Sequence, residues 1–125
     1  MLSNATLLLA RLLMSAIFIQ AGYGKLIAYA TVVPYLAKLN LPMPQIAWAV
    51  AVAVELGGGL LILAGFRIRL VAPAMAVFCV ATAFIVHYHP GDTSNMISFM
   101  KNLAMAGGFL QLAVTGPGRY SIGRS

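Results

Sequence analysis

The chain has 125 residues, of which 62% are hydrophobic and only 8% charged, and eight Lys and Arg against two acidic residues give a net charge of +6. Soluble domains carry about a quarter charged residues, so this composition indicates an integral membrane protein. The basic residues stand singly at segment ends and form no basic face, which argues against nucleic acid as a partner. Cys79 is the only cysteine, which excludes an internal disulfide, a CxxC redox pair and a cysteine zinc cluster.

Four stretches of the chain are apolar over about 20 residues, the length that a helix needs to cross the hydrocarbon core. They cover about residues 5–24, 46–65, 69–88 and 97–116. No basic region precedes the first stretch, and Arg11 interrupts it, so we interpret it as a retained span and not as a signal peptide. The sequence therefore predicts an all-α fold, a membrane four-helix bundle that forms a single transmembrane domain over residues 1–125.

The connection between the first two spans, residues 26–45, is the longest. Four of its apolar residues recur at helical spacing: Val32, Tyr35, Leu36 and Leu39. We expect a short helix here that lies in the membrane interface, with Pro34 in its first turn. Spans two and three are joined by residues 66–68 alone and should form a tight antiparallel hairpin.

The distribution of basic residues predicts the orientation of the chain in the membrane. One side carries the arginines that flank the spans: Arg67, Arg69, Arg119 and Arg124. The other side carries Lys38, with Lys25 and Lys101 near that membrane edge. Because cytoplasmic loops are rich in basic residues, we expect both termini in the cytoplasm.

Glu55 lies near the middle of the second span, where a carboxylate costs about 2.5–3.5 kcal/mol on insertion scales. It should therefore face the bundle interior and have a basic partner. At a rise of ~1.5 Å per residue, Glu55 lies ~15 Å and Arg11 ~9 Å from the same membrane edge, a gap that an arginine side chain can cross. Lys101 approaches from the opposite side. The pairing has two interpretations: an ion pair that fixes the order of the helices, or a proton or ligand site.

Further polar residues lie at membrane depth. Lys25 can reach the headgroups along its alkyl stem, whereas Arg11 is harder to explain in that way. The excess of cations over Glu55 also suits an anionic or carbonyl-bearing ligand, such as a quinone. Gln20 and Asn102 are suited to hydrogen bonds between helices. The candidate ligand-binding or buried polar cluster is then Arg11, Gln20, Lys25, Glu55, His87, Lys101 and Asn102.

The two histidines are the remaining candidates for a metal or catalytic site. His87 and His89 stand at i and i+2, on different helical faces, and a metal site would require them to converge with Asp92. No other histidine is present for a haem. We find no catalytic motif and predict no metal ligand.

These residues together resemble the DoxX family over nearly the whole chain. The motifs occur in this order: Arg11, Gly24-Lys25, Glu55-Leu-Gly-Gly-Gly, Gly65, Arg67, His87, Lys101-Asn102-Leu, Gly107-Gly108 and Gly116-Pro-Gly. The resemblance implies a four-helix protein of the bacterial inner membrane. The family takes its name from an association with a quinol oxidase or a thiosulfate:quinone oxidoreductase, and some relatives are linked to quinone or thiol stress.

The resemblance therefore implies an accessory or quinone-interacting component of a membrane redox or stress-response system. Its partners would be the lipid bilayer and redox-enzyme subunits or further copies of the chain, and a quinone is the candidate cofactor. Since the chain has no redox-active cysteine pair, a subunit is favoured over a self-contained oxidoreductase. The alternative is a non-catalytic anchor or assembly partner whose buried charges are structural. A channel or transporter would require several copies.

Overall fold

A computed structural model describes residues 2–122, which form five helices and no strand. Four of these helices are long and apolar enough to cross a membrane, which confirms the predicted all-α fold with four spans. The helices are α1 (Leu2–Ile27), α2 (Tyr29–Lys38), α3 (Pro44–Ala64), α4 (Ile68–His87) and α5 (Thr93–Thr115). Arg124, one of the flanking arginines, lies outside the described residues.

The short helix expected between the first two spans is present as α2, but its start differs from the prediction. Because α2 begins at Tyr29, Pro34 lies in its interior and not in its first turn. Proline has no N–H to donate to the carbonyl of Ala30, four residues earlier. Both residues are exposed, so the helix can leave this carbonyl to solvent.

The last span begins at Thr93, about one turn before the predicted position, because Asp92 caps it. The Asp92 Oδ1 atom accepts the backbone N–H of Asn95 at 3.1 Å, and Oδ2 accepts the Asn95 side-chain amide at 3.0 Å. An aspartate at this position satisfies an N–H group that has no partner within the helix. The same two bonds, the backbone bond first, lower the pKa of Asp92, so the carboxylate stays ionised.

The four spans pack as two pairs, α1 on α3 and α4 on α5, around a shared core. At its centre the rings of Phe18 and Phe109 lie 5.4 Å apart, beside the buried side chains of Ile62 and Met75. We call the end where α1 begins and α3 and α5 end the terminal end, and the opposite end the loop end. Lipid is as apolar as this core, so the helices associate through close packing and hydrogen bonds.

Two spans contain a π-helical turn, which the sequence did not predict. One covers Ala53–Gly58 in the middle of α3, and the other covers Ala83–His87 at the end of α4. Such turns insert one residue into a helix and occur frequently at functional sites. The first turn contains Glu55 and the second ends at His87, so each presents an ionisable side chain.

Gly22 brings α1 and α3 into backbone contact next to the first π-helical turn. A Cβ atom at Gly22 would lie 2.5 Å from the backbone nitrogen of Leu56, whereas one at Gly24 would meet nothing within 4 Å. We expect Gly22→Ala to lower the free energy of unfolding by about 1–3 kcal/mol, as overpacking does. Gly24→Ala, two residues away in the same helix, is the matched control and should not destabilise the protein. Unfolding in mixed micelles, followed by circular dichroism, would measure both, and equal stabilities would contradict the close contact.

Candidate functional site

Lys25 of α1 and Glu55 of α3 form an ion pair, the only one within residues 2–122. The Lys25 Nζ atom lies 2.8 Å from Glu55 Oε1 and donates a hydrogen bond to it. Glu55 is 5% exposed. The carboxylate is therefore held inside the bundle by a cation, as its position in the span required.

The direction of the side chains explains this pairing. The Cα–Cβ bonds of a helix tilt toward its N-terminus, so Lys25 near the end of α1 leans toward the middle of the bundle. Because α3 runs in the opposite sense, Glu55 leans toward the loop end and meets Lys25. The Lys25 carbonyl also accepts a 2.7 Å hydrogen bond from Trp48 Nε1, which anchors α3 to the end of α1. The interpretation of Lys25 as a side chain that reaches outward to the headgroups is therefore wrong.

The ion pair is open on one side. The Lys25 side chain is 34% exposed and that of Glu55 7%, so the ammonium group lies at the bundle surface and the carboxylate behind it. Lipid and the bundle interior have a low dielectric, in which an ammonium and a carboxylate attract each other strongly. An ammonium group at this surface can also donate a hydrogen bond to a carbonyl oxygen that approaches from the lipid.

Arg11 does not pair with Glu55, which corrects the predicted partner. Its side chain is fully buried and binds backbone carbonyls: Nη1 donates to Leu63 at 2.9 Å and to Ile62 at 3.5 Å, and Nη2 donates to Tyr120. The carbonyls of Ile62 and Leu63 belong to the last turn of α3, where a helix lacks N–H donors. Arg11 thus completes the end of α3 and binds the segment that follows α5.

The same directional rule explains where Arg11 points. As a residue of the first half of α1, it tilts toward the terminal end, away from Glu55. The next carbonyl of α3, that of Ala64, accepts the N–H of Ile122 at 2.9 Å. Gly65 adopts a positive φ of 76° beside the Arg11 guanidinium, where a Cβ atom would collide with Nη1. The terminal end is therefore closed by backbone bonds and one buried arginine.

The other predicted site residues lie apart from the ion pair. Lys101 and Gln20 are exposed, and neither contacts Glu55. The prediction of Lys101 as a partner of Glu55 is wrong, since its side chain in α5 tilts toward the loop end. The Asn102 amide donates to Thr82 Oγ1 at 3.0 Å, which links α4 to α5 as expected of an interhelical hydrogen bond.

His87 and His89 lie at the loop end and do not converge. The His87 Nδ1 atom is buried without a hydrogen-bond partner, whereas His89 Nε2 lies 3.0 Å from the Val86 carbonyl. No three His, Cys, Asp or Glu side chains of the described chain lie close enough to hold a metal ion. A surface groove of about 570 Å³ lies nearby, between α2 and the connection from α4 to α5, and its lining includes neither Lys25 nor Glu55.

A family model supports the resemblance seen in the sequence. The DoxX model matches residues 6–88, which cover α1 to α4 and include both partners of the ion pair. The chain belongs to the DoxX family. This DoxX protein is 43% identical to the inner membrane protein YqjF of Escherichia coli K12, over 98% of its own length and 93% of the relative.

A second relative is also an inner membrane protein and is similar over most of the chain. The inner membrane protein YphA of the same organism is 41% identical over 94% of the DoxX chain and 88% of the relative. No protein of known structure matches the chain. With four candidate spans and these relatives, the DoxX protein is a multi-pass inner-membrane protein.

Sequence reasoning missed part of the surroundings of the ion pair in this DoxX protein. The position of Trp48 near the start of the second span is typical of an interfacial aromatic residue, and nothing in the sequence predicts its bond to the Lys25 carbonyl. The ring of Tyr29 packs edge-on against Trp48 with centroids 4.7 Å apart, so α2 also contributes to this region. The glycines around Glu55 were the available signal, since small residues mark the places where helices approach closely.

Proposed function

We propose that this DoxX-family protein is an accessory component of a membrane redox or stress-response system and binds a quinone beside Lys25 and Glu55. Lys25 donates a hydrogen bond to one carbonyl oxygen of the quinone headgroup, and Glu55 holds the ammonium group in position. The chain contributes binding and orientation, while electron transfer belongs to partner subunits. The partly exposed ion pair at membrane depth carries this proposal, because an ionisable residue within a span is a functional candidate by default.

Two further features support a binding role at this position. Glu55 lies in a π-helical turn, a local distortion that proteins retain frequently at functional sites. Trp48 and Tyr29 lie next to Lys25, and aromatic rings suit the flat, apolar headgroup of a quinone. Gly24 leaves open space on α1 near Lys25, since a Cβ atom there would meet nothing within 4 Å.

Trp48 provides the assay, since it is the only tryptophan and its Nε1 atom is bonded to the Lys25 carbonyl. Titration of the protein in nanodiscs with a short-chain ubiquinone or menaquinone should quench its fluorescence in a saturable manner. Lys25→Met and Glu55→Gln should weaken the saturable component at least tenfold. Lys101→Met removes an exposed lysine elsewhere and should leave it unchanged.

A linear quenching response would contradict quinone binding at this site. Quinone dissolved in the bilayer quenches by collision, which gives a linear response. A linear response in the wild type, or saturable quenching that is identical in Lys25→Met, Glu55→Gln and Lys101→Met, would reject this site.

The alternative function is that of an anchor or assembly partner in which the charges are structural. The contacts of Arg11 favour it, because one fully buried guanidinium joins α1, the end of α3 and the segment after α5. The double variant Lys25→Met with Glu55→Leu separates the two functions. An anchor would keep its crosslinks to partner subunits in this variant, whereas a quinone-binding component would lose quinone.

We also propose that the terminal end faces the cytoplasm. Arg67, Arg69 and Arg119 lie there, while Lys38 and the exposed Lys101 lie toward the loop end. The positive-inside rule supports this orientation. Labelling of a cysteine placed at Gly91 in a Cys79→Ala background with a membrane-impermeant maleimide should succeed from the periplasm, and labelling only after lysis would reverse the assignment.

A further inference from the structure

The terminal end of the bundle carries cations without any acidic side chain to balance them. The two acidic residues of the chain are Glu55, paired in the middle of α3, and Asp92, which caps α5 at the loop end. Neither can neutralise the terminal end. Arg11 donates there to backbone carbonyls, but Arg67, Arg69 and Arg119 are exposed.

Arg69 is held at the end of α5 through one nitrogen of its guanidinium group. Its Nη1 atom donates to the carbonyls of Val114 at 3.0 Å and Ala113 at 3.4 Å, which fixes the side chain. Gly116 lies beside Nη2 and has no side chain to cover it, since a Cβ atom there would come within 3.2 Å. The Nε and Nη2 edge of an immobilised guanidinium is suited to the bidentate binding of a phosphate.

Two further arginines stand at the same level. Arg67 has a positive φ of 50° in the turn between α3 and α4, and its guanidinium lies 5.8 Å from the Phe66 ring. Arg119 is positioned through its backbone N–H, which donates to Asn4 Oδ1 at 3.0 Å. Neither guanidinium forms an ion pair within residues 2–122. Both are therefore available to an anion from outside the protein.

We infer that the terminal end binds the phosphodiester headgroup of an anionic phospholipid, with Arg69 as the anchor and Arg67 and Arg119 beside it. The apolar surface next to these arginines favours a lipid over a soluble phosphate. Leu70 is 64% exposed and Phe66 38% exposed, and both adjoin these arginines in the sequence. The ligand must therefore place apolar chains next to a phosphate, and basic pockets at the ends of spans bind anionic headgroups in this way.

The test compares two double variants of the full chain that lose the same charge at opposite ends. Arg67→Gln with Arg119→Gln removes two terminal-end cations whose side chains make no hydrogen bond within residues 2–122, and Lys38→Gln with Lys101→Gln removes exposed lysines elsewhere. Native mass spectrometry of detergent-solubilised protein titrated with phosphatidylglycerol, against phosphatidylcholine, measures the retained lipid. At about 1 kcal/mol per basic residue, the arginine variant should bind phosphatidylglycerol roughly thirtyfold more weakly. The lysine variant should bind like the wild type.

Three results would overturn the inference. An equal loss of phosphatidylglycerol in both double variants would show that binding depends on total charge and not on a site. Unchanged binding in the arginine variant would show that Arg67 and Arg119 do not bind the lipid. Displacement of the lipid by soluble glycerol phosphate at similar concentration would show that the acyl chains add nothing. Arg69→Lys tests the role of Arg69. It keeps the positive charge but loses the guanidinium group that binds a phosphate through two nitrogens, so it should weaken lipid binding. None of these variants alters Lys25 or Glu55, so the outcome is independent of quinone binding.

Discussion

Lys25→Met is expected to lower the free energy of unfolding by about 3–5 kcal/mol, because it leaves the Glu55 carboxylate in the bundle interior without its partner. Glu55→Leu should have an effect of similar size, because it leaves the Lys25 ammonium group without its carboxylate partner. The double variant should recover most of this loss, since an apolar pair of similar volume needs no desolvated charge. Unfolding by sodium dodecyl sulfate in mixed micelles gives all three values and the coupling energy between the two positions.

Lys101→Met is the matched control for this cycle. Its ammonium group is exposed and makes no ion pair within the described chain, so we expect a change of no more than about 0.5 kcal/mol. Additive effects of Lys25→Met and Glu55→Leu, with no recovery in the double variant, would show that the two side chains do not interact.

Arg11→Met should also destabilise the protein strongly. It removes the donor to the carbonyls of Leu63 and Tyr120, and each buried carbonyl left without a partner costs about 1–3 kcal/mol. The expected loss for the two carbonyls together is therefore about 2–6 kcal/mol. The segment after α5 should also detach, which faster backbone amide exchange at Ile122, now bonded to the Ala64 carbonyl, would report.

Arg67→Met provides the comparison for Arg11→Met. Arg67 lies in the same region and has the same charge, but it is exposed and its side chain donates to no carbonyl within residues 2–122. It should leave both stability and amide exchange at Ile122 unchanged. If Arg11→Met proved as mild as Arg67→Met, the carbonyl contacts of Arg11 would not stabilise the fold.

The spans and the short helix could be predicted from the sequence because they depend on local composition and on the spacing of apolar residues. Four apolar stretches of membrane-crossing length, interrupted by Pro42, Pro44 and Pro90, leave few alternatives for an all-α chain. The requirement that Glu55 have a basic partner also followed directly, from the cost of a carboxylate in hydrocarbon. These predictions needed no knowledge of which helix contacts which.

The identity of the partner could not be obtained from depth alone. Arg11 lies close enough to Glu55 along the membrane normal to be its predicted partner. Whether the two side chains meet also depends on the direction in which each one points. Cα–Cβ bonds tilt toward the N-terminus of each helix, so on α1 both Lys25 and Arg11 point to the terminal end. That direction brings Lys25 inward to Glu55 and carries Arg11 away from it.

The local distortion around Glu55 had no signal in the sequence. A π-helical turn depends on one extra residue being accommodated by the neighbouring helices, and Gly57 and Gly58 permit it without requiring it. The bond from Trp48 to the Lys25 carbonyl likewise arises only after α1 and α3 have docked. Both features depend on tertiary packing, which a single sequence does not encode in any short pattern.

Dipolar coupling in lipid bilayers tests the central pairing most directly. Glu55 is the only glutamate of the chain, so a ¹³C-carboxyl glutamate label reports one site, and ¹⁵Nζ-lysine supplies the partner. With Nζ 2.8 Å from Oε1, the lysine nitrogen should strongly dephase the Glu55 carboxyl signal, and Lys25→Met should abolish the effect. A carboxyl signal that is indifferent to lysine, or that couples to ¹⁵N-arginine instead, would contradict this arrangement of the site.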